Sequence, residues 1–255
     1  MLAVTLSLKI RNEHQLKIAE DYIQSAFKGL KVNMASAETT VDGWLQLKFS
    51  GEDEKIALNY LETIIGLCPT HVTHLKRFST VKGYITGLSE SKDEIHVDVG
   101  LTNPKTFVTI PLQCLQTQLT DGRKIALQKI VELFGLRENM PVTIKTLSVN
   151  ENRVEAAMAE TQLNLYEKWT KSLLDRLIVL GASQQETKKA IKNYKIHNDV
   201  IGIETLGIFE HAIICKFGTD AAGLIPKIGK NLQDASLSIF SPKRLLNFFG
   251  SFHSA

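Results

Sequence analysis

The chain has 255 residues, 44% hydrophobic and 22% charged, the balance of a folded protein with room for two or three domains. No apolar run approaches the roughly 18 residues of a membrane span, and three scattered cysteines, Cys68, Cys114 and Cys215, argue against a disulfide framework or a structural zinc site. Net charge is only +3, yet residues 171–255 hold eleven basic side chains against seven acidic ones while the rest is nearly balanced, a bias toward an anionic partner in the last third.

The first segment, 1–78, opens with alternation at Val4, Leu6, Leu8 and Ile10. That is the period of a half-buried strand and not the apolar core of a signal peptide, so a cytoplasmic protein is expected. A helix follows on Leu16, Ala19, Ile23 and Phe27, then strands at 32–41 and 45–49 around Asp42-Gly43. A second helix over Ile56, Leu61 and Ile65 and a strand from Val72 to Phe78 complete β-α-β-β-α-β, the ferredoxin-like plan.

The second segment, 79–160, reads as short strands at 81–85, 95–99 and 107–110. A helical stretch then runs through Ile125, Ile130 and Phe134, and strands at 142–147 and 153–158 close the segment. Five strands with a helix between the third and fourth predict an OB/S1-like barrel, with Gly83 and Gly87 where a strand must bend. The third segment, 161–255, starts with a linker helix carrying Leu165, Trp169 and Leu173. The first plan then recurs: strand 176–180, a capping box at Ser183 and Glu186, a helix to Tyr194, strands 200–206 and 209–216, a helix over Leu224 and Ile228, and strand 237–240. The expected fold class is therefore α+β: two ferredoxin-like domains flanking a central barrel, with a C-terminal tail.

The stretch Leu206-Gly-Ile-Phe-Glu-His-Ala-Ile-Ile-Cys-Lys-Phe-Gly-Thr-Asp-Ala-Ala-Gly-Leu-Ile-Pro-Lys-Ile-Gly229 resembles the signature of an archaeal domain-of-unknown-function family. Val97-Asp-Val-Gly100, Ile110-Pro-Leu112 and Gln118-Leu-Thr-Asp-Gly122 are similar to that family too, whereas the first segment matches only in outline. The resemblance implies an archaeal, cytoplasmic origin and transfers no activity.

No catalytic constellation is visible: no GxSxG, HExxH, Walker loop or GxGxxG after a strand. Cys68, His71 and His74 are close in sequence, but on a strand His71 and His74 face opposite sides, so neither a metal nor a cofactor is expected there. His211 and Cys215 share a strand face at ~13 Å, too far for one ion or a nucleophile–base pair.

Lys216-Phe-Gly-Thr-Asp-Ala-Ala-Gly223 leads from strand to helix. Lys216, Gly218, Thr219 and Lys227 are candidates for an anion or backbone phosphate, and the alternative is a self-capped connection. Lys188, Lys189, Lys192 and Lys195 form a basic ridge suited to a phosphate backbone, or a merely solvated face. Tyr84, His96 and Phe107 are candidate base-stacking residues of the barrel. Lys243, Arg244, Phe248, Phe249 and Phe252 make an aromatic tail that fits core or protein-partner contacts.

The expected function is a non-catalytic RNA- or ribonucleoprotein-binding protein. The alternatives are an enzyme with a site near Lys216–Gly223 and His211, or a protein-assembly factor.

Overall fold

The computed structural model describes residues 1–102, 105–150, 153–194 and 196–250. It is a mixed α+β structure in which a closed five-stranded barrel lies between two sheets. Among the described residues no helix is long and apolar enough to cross a membrane.

The N-terminal unit runs β1 (Leu2–Lys9), α1 (Glu13–Ala26), β2 (Val32–Thr39), β3 (Trp44–Gly51) and α2 (Glu54–Ile64), with sheet order β1-β3-β2, all antiparallel. Alternation assigns its two faces. Leu6 and Leu8 of β1 and Leu45, Leu47 and Phe49 of β3 pack with Ala19 and Ile23 of α1 and Ala57 and Leu61 of α2. Lys9 faces the barrel, where its ammonium lies 2.6 Å from Asp98 and 4.9 Å above the Trp44 ring.

The expected strand Val72–Phe78 is corrected: residues 72–74 form a single 3-10 turn. The free edge of β1 instead receives one bridge, Leu6 to Leu67, closed by Ser7 N–H to Gly66 and Cys68 N–H to Thr5. The alternation had another cause, because Val72 and Leu75 are buried against the barrel core.

The barrel consists of β4 (Thr80–Thr86), β5 (Glu94–Asp98), β6 (Val108–Pro111), β7 (Pro141–Val149) and β8 (Val154–Met158) in closed order β4-β5-β6-β8-β7. All pairs are antiparallel except β6 with β8. β4 pairs with β7 through Tyr84 and with β5 from Tyr84 onward, so the strand changes partner beside Gly83. A Cβ at Gly83 would sit 2.6 Å from the Asp98 carbonyl, which is why the bend needs glycine. Between β6 and β7 stand two helices where one was expected, α3 (Leu112–Leu119) and α4 (Leu127–Phe134).

Helix α5 (Glu160–Ser172) buries Gln162, Tyr166 and Trp169. Leu173, expected on the same stripe, is exposed with φ 56° and ends the helix in the left-handed region. The C-terminal unit then runs β9 (Arg176–Leu180), α6 (Gln184–Asn193), β10 (Val200–Thr205), β11 (Glu210–Cys215), α7 (Ala221–Gly229), β12 (Ser236–Phe240) and α8 (Pro242–Gly250). Its antiparallel sheet has order β10-β11-β9-β12. One face, with Leu177, Val179, Ile213 and Cys215, packs under α6 and α7. Ile178, Leu180, Ala212 and Phe240 on the other face join Tyr166, Trp169 and the barrel core.

Candidate functional site

Two places concentrate the candidates. The first is the helical layer of the C-terminal unit. Ser183 starts α6 with both halves of a capping box: its hydroxyl accepts from Glu186 N–H, and the Glu186 carboxylate accepts from Ser183 N–H at 2.8 Å. The cap fixes the helix phase. Thr187, Ala190 and Ile191 turn inward, while Lys188, Lys189 and Lys192 are exposed. Lys195 lies outside the described residues.

On the neighbouring helix Lys227 is exposed, as are Lys216 before it and Lys230 after it. Among the described residues none of these six lysines takes part in an ion pair. Three carboxylates of the unit are committed elsewhere. Glu186 caps α6 and meets His14 at 3.0 Å, Glu204 binds Lys168 at 2.9 Å, and Asp220 caps α7. A shallow cleft of about 330 Å³ beside the ridge is lined by Lys188, His197 and Val200 to Ile203.

The loop from Lys216 to Gly223 closes on itself. Thr219 N–H donates to Lys216 O, Ala222 N–H to the Asp220 carboxylate at 3.0 Å, and Gly223 N–H to Asp220 O. Gly218 has φ +87°, and a Cβ there would meet open space, so glycine serves the turn and not a close approach. Lys216 precedes α7 by five residues, whereas Lys227 lies in its last turn. The arrangement is the self-capped alternative, with lysines displayed on either side.

The barrel candidates divide. His96 and Phe107 come together on its surface, rings stacked at 6.2 Å and 7°, with Lys105 5.9 Å from the Phe107 centroid. The surrounding cations are paired: Lys105 with Asp42, and Arg153 with Glu94 at 3.3 Å and Glu155 at 3.1 Å. Tyr84 is corrected as a stacking platform. It is 4% exposed and edge-on to Trp44 at 5.6 Å, wedged between the barrel and the N-terminal sheet.

Sequence reasoning missed Phe78, which is 55% exposed with φ 67° and has Arg77 and Lys145 at 4.6 and 5.7 Å from its ring. The preceding Lys76-Arg77 was the available signal, obscured by reading the segment as a strand. In the tail, Phe248 and Phe249 pack against the barrel core, with Lys129 and Arg123 over their rings. Phe252 lies outside the described residues.

The second place is the tip of the β10–β11 hairpin. Phe209 is 1% exposed and belongs to the core of the N-terminal unit, while Leu206 packs against the barrel. Glu210 and His211, the next two residues, are therefore buried where all three units meet. The Glu210 carboxyl is pushed up to about 7, first by burial, with Arg11 and the Phe209 backbone opposing.

His211 is 1% exposed; neither ring nitrogen makes a hydrogen bond of good geometry, although the backbones of Ile208 and Ala182 lie within reach of the ring. Burial lowers its pKa, the carbonyls of Ile208 and Ala182 oppose this, and the charge of Lys188 adds to it. Cys215, at the far end of the strand, is pushed up to about 11 by burial, so it is a packing thiol and not a nucleophile. A pocket holding His211, Lys216 and Asp220 together would favour the enzyme alternative. The structure separates them: His211 points to the junction, and the other two are at the exposed end of β11.

The 3-10 turn brings the His71 and His74 rings to 6.1 Å, and the Cys68 thiol, pushed up to about 12 chiefly by burial, donates to Leu6 O at 3.2 Å. Among the described residues no group of three or more His, Cys, Asp or Glu is placed to hold a metal ion.

The fold and site thus define a three-unit α+β protein with a basic helical layer and a buried three-way junction. Residues 76–170 match the DUF2110 central domain and residues 174–240 the DUF2110 C-terminal domain, together well over half the chain. The chain belongs to the DUF2110 family. Among curated proteins none matches it.

Proposed function

We propose that this protein is a non-catalytic RNA- or ribonucleoprotein-binding protein of the cytoplasm that holds phosphates on the helical layer of its C-terminal unit. The observation that carries the reading is a set of six exposed lysines that form no ion pair among the described residues: Lys188, Lys189, Lys192, Lys216, Lys227 and Lys230. An unpaired exposed ammonium retains its charge for a phosphate, and each contact releases condensed counterions.

Fold analogy supports the same reading. In this reading the flanking units are ferredoxin-like, supported by the β-α-β-β-α-β order of the C-terminal unit. The closed order of the five-stranded barrel, with first strand beside fourth and parallel third and fifth, supports reading it as OB/S1-like. Phe78, between two cations on the barrel surface, is the exposed ring best placed to stack a base.

The test is fluorescence anisotropy with single-stranded and structured RNA across a salt series, using wild type and the triple variant K188Q/K189Q/K192Q. Glutamine keeps helix propensity, so the fold survives. The variant should bind more weakly, with its log K against log salt slope flattened by roughly two units. The loss should be similar across RNA sequences, because phosphate contacts carry no base information. Absence of wild-type binding, or an unchanged slope in the variant, contradicts the proposal.

A further inference from the structure

The two open sheets end on β1, β2, β10 and β12, and two of these edges are covered. β1 is bridged at Leu67, and β12 lies against the end of α4, where Ser238 donates to Gly135 O at 2.7 Å and Arg137 to Leu237 O at 3.3 Å. β10, the outermost strand of the C-terminal sheet, pairs on one side only, with β11.

The hydrogen-bond alternation of this sheet tells which backbone groups of β10 are open. Leu206 N–H donates to Glu210 O, and Gly181 N–H to Phe209 O. The backbones of Ala212 and Ile214 therefore bond across to Glu204 and Gly202, while those of His211 and Ile213 bond to β9. The N–H and C=O groups of Ile203 and Thr205 point away from the sheet, and among the described residues no strand pairs with them.

An open edge is a template for another strand, and proteins blunt one with lysine, proline or a covering element. β10 has no lysine or proline, and its one carboxylate, Glu204, is taken by Lys168 at 2.9 Å and Trp169 at 2.8 Å. A bulge between Val200 and Gly202 confines the regular edge to its last four residues. Beside that edge the cleft of about 330 Å³ completes a groove: Ile191 of α6 and Ile203 supply apolar wall, and Lys188 and His197 a polar rim. The Lys188 ammonium donates to Gln184 at 3.0 Å and keeps its charge. Ile201, 60% exposed, and Phe217, 79% exposed just beyond β11, add apolar surface at the bulged end of the hairpin.

Three features choose the occupant. Outward N–H and C=O groups at every second residue match a polypeptide backbone, a pattern that a sugar–phosphate chain lacks. The cleft beside them receives alternate side chains of an added strand. Lys188, with Lys189 and Lys192 on the same helix, favours a carboxylate among those side chains. A second copy of this chain would instead set its own Lys188 against this one.

We propose that the open edge of β10 accepts an extended acidic segment of a protein partner as a fifth strand, with apolar side chains against Ile191 and Ile203 and a carboxylate on Lys188. This edge binds polypeptide independently of the RNA reading and shares only the α6 lysines with it.

The probe is the acetylated and amidated heptapeptide Val-Glu-Val-Glu-Val-Glu-Val, titrated into the ¹⁵N-labelled full chain. At saturation the amides of Ile203 and Thr205 should exchange with deuterium at least about tenfold more slowly, while those of Gly202 and Glu204, already bonded to β11, should change little. The same peptide with lysine for glutamate should bind about tenfold or more weakly, as should Lys188→Glu protein with the original peptide. N-methylation of alternate peptide amides should abolish the protection.

Should Lys188→Glu disturb the fold, the lysine peptide and the wild-type exchange carry the test. Unchanged exchange at Ile203 and Thr205 in millimolar peptide would overturn the proposal, as would equal binding of the acidic and basic peptides. Protection of the two amides by single-stranded oligouridine would assign the edge to RNA, and protection that rises with protein concentration alone would assign it to a second copy. Either result contradicts a protein partner there.

Discussion

The two flanking units share an element order through their first five elements and differ in edge and charge. In the C-terminal unit β12 pairs with β9 over five residues, whereas in the N-terminal unit the equivalent edge of β1 gets one bridge at Leu67. α1 carries Glu13, Glu20 and Asp21 against Lys17, and α2 carries Glu54 and Glu62 against Lys55. The corresponding helices of the C-terminal unit carry Lys188, Lys189, Lys192 and Lys227 against Glu186, whose carboxylate closes a cap. One plan thus serves two purposes. The N-terminal unit leans on its neighbours for completion, even borrowing Phe209 for its core, while the C-terminal unit completes its own sheet and displays free cations.

The sharpest way to break this comparison is to remove the borrowed residue. Phe209→Ala should cost about 3–5 kcal/mol, the range for a buried aromatic cut to a methyl. Urea unfolding followed by tryptophan fluorescence reads it. A loss under about 1 kcal/mol would mean the N-terminal core is self-sufficient.

Glu210 tests the junction through pH. Its folded pKa of about 7 exceeds the reference 4.5, so the folded state holds the proton longer as pH rises. Its contribution is fully present below pH 4.5 and lost by pH 7, a fall of about 3 kcal/mol. Glu210→Gln should flatten that window relative to wild type in calorimetry, and identical slopes would contradict the buried-carboxyl reading. His211 works in the other direction. Its pKa is lowered, so its contribution is present above 6.5 and lost as pH falls below it.

The corresponding helix starts give a smaller contrast. Asn12 caps α1 through one bond to Gln15 N–H, while Ser183 caps α6 within a full box. Replacing either by Ala should cost about 1 kcal/mol, with Ser183 the larger. The smallest stability effect belongs to K188Q/K189Q/K192Q, within about 0.5 kcal/mol of wild type, because these side chains contact solvent.

Local signals were legible in the sequence and long-range ones were not. Alternation placed β1, and the Ser183–Glu186 spacing fixed the start of α6, because each depends on residues within one turn or strand. Val72 to Phe78 misled for the opposite reason. Its apolar residues obey packing against a barrel whose position no local pattern records. Helix α3 was passed over although Leu112, Leu115 and Leu119 keep a helical spacing, since eight residues after Pro111 give a weak signal.

The basic ridge could be read from the helix period. Its freedom from ion pairs could not, because that depends on where every carboxylate lands. His211 drew notice beside Cys215 and with the Lys216–Gly223 loop. It pairs in register with Val179 and Thr205 and lines the junction together with Ser7, Leu165 and Thr143, which come from segments far away in sequence.

On the proposed function, an anionic partner meets the C-terminal helical layer and not its N-terminal counterpart. Ultraviolet crosslinking of the full chain to single-stranded RNA, with mass spectrometry of the attached peptides, tests it directly. The account predicts crosslinks within residues 184–194 and 216–230, reduced in K188Q/K189Q/K192Q. Crosslinks confined to α1 and α2, or none at a salt concentration where a basic control protein crosslinks, would contradict it.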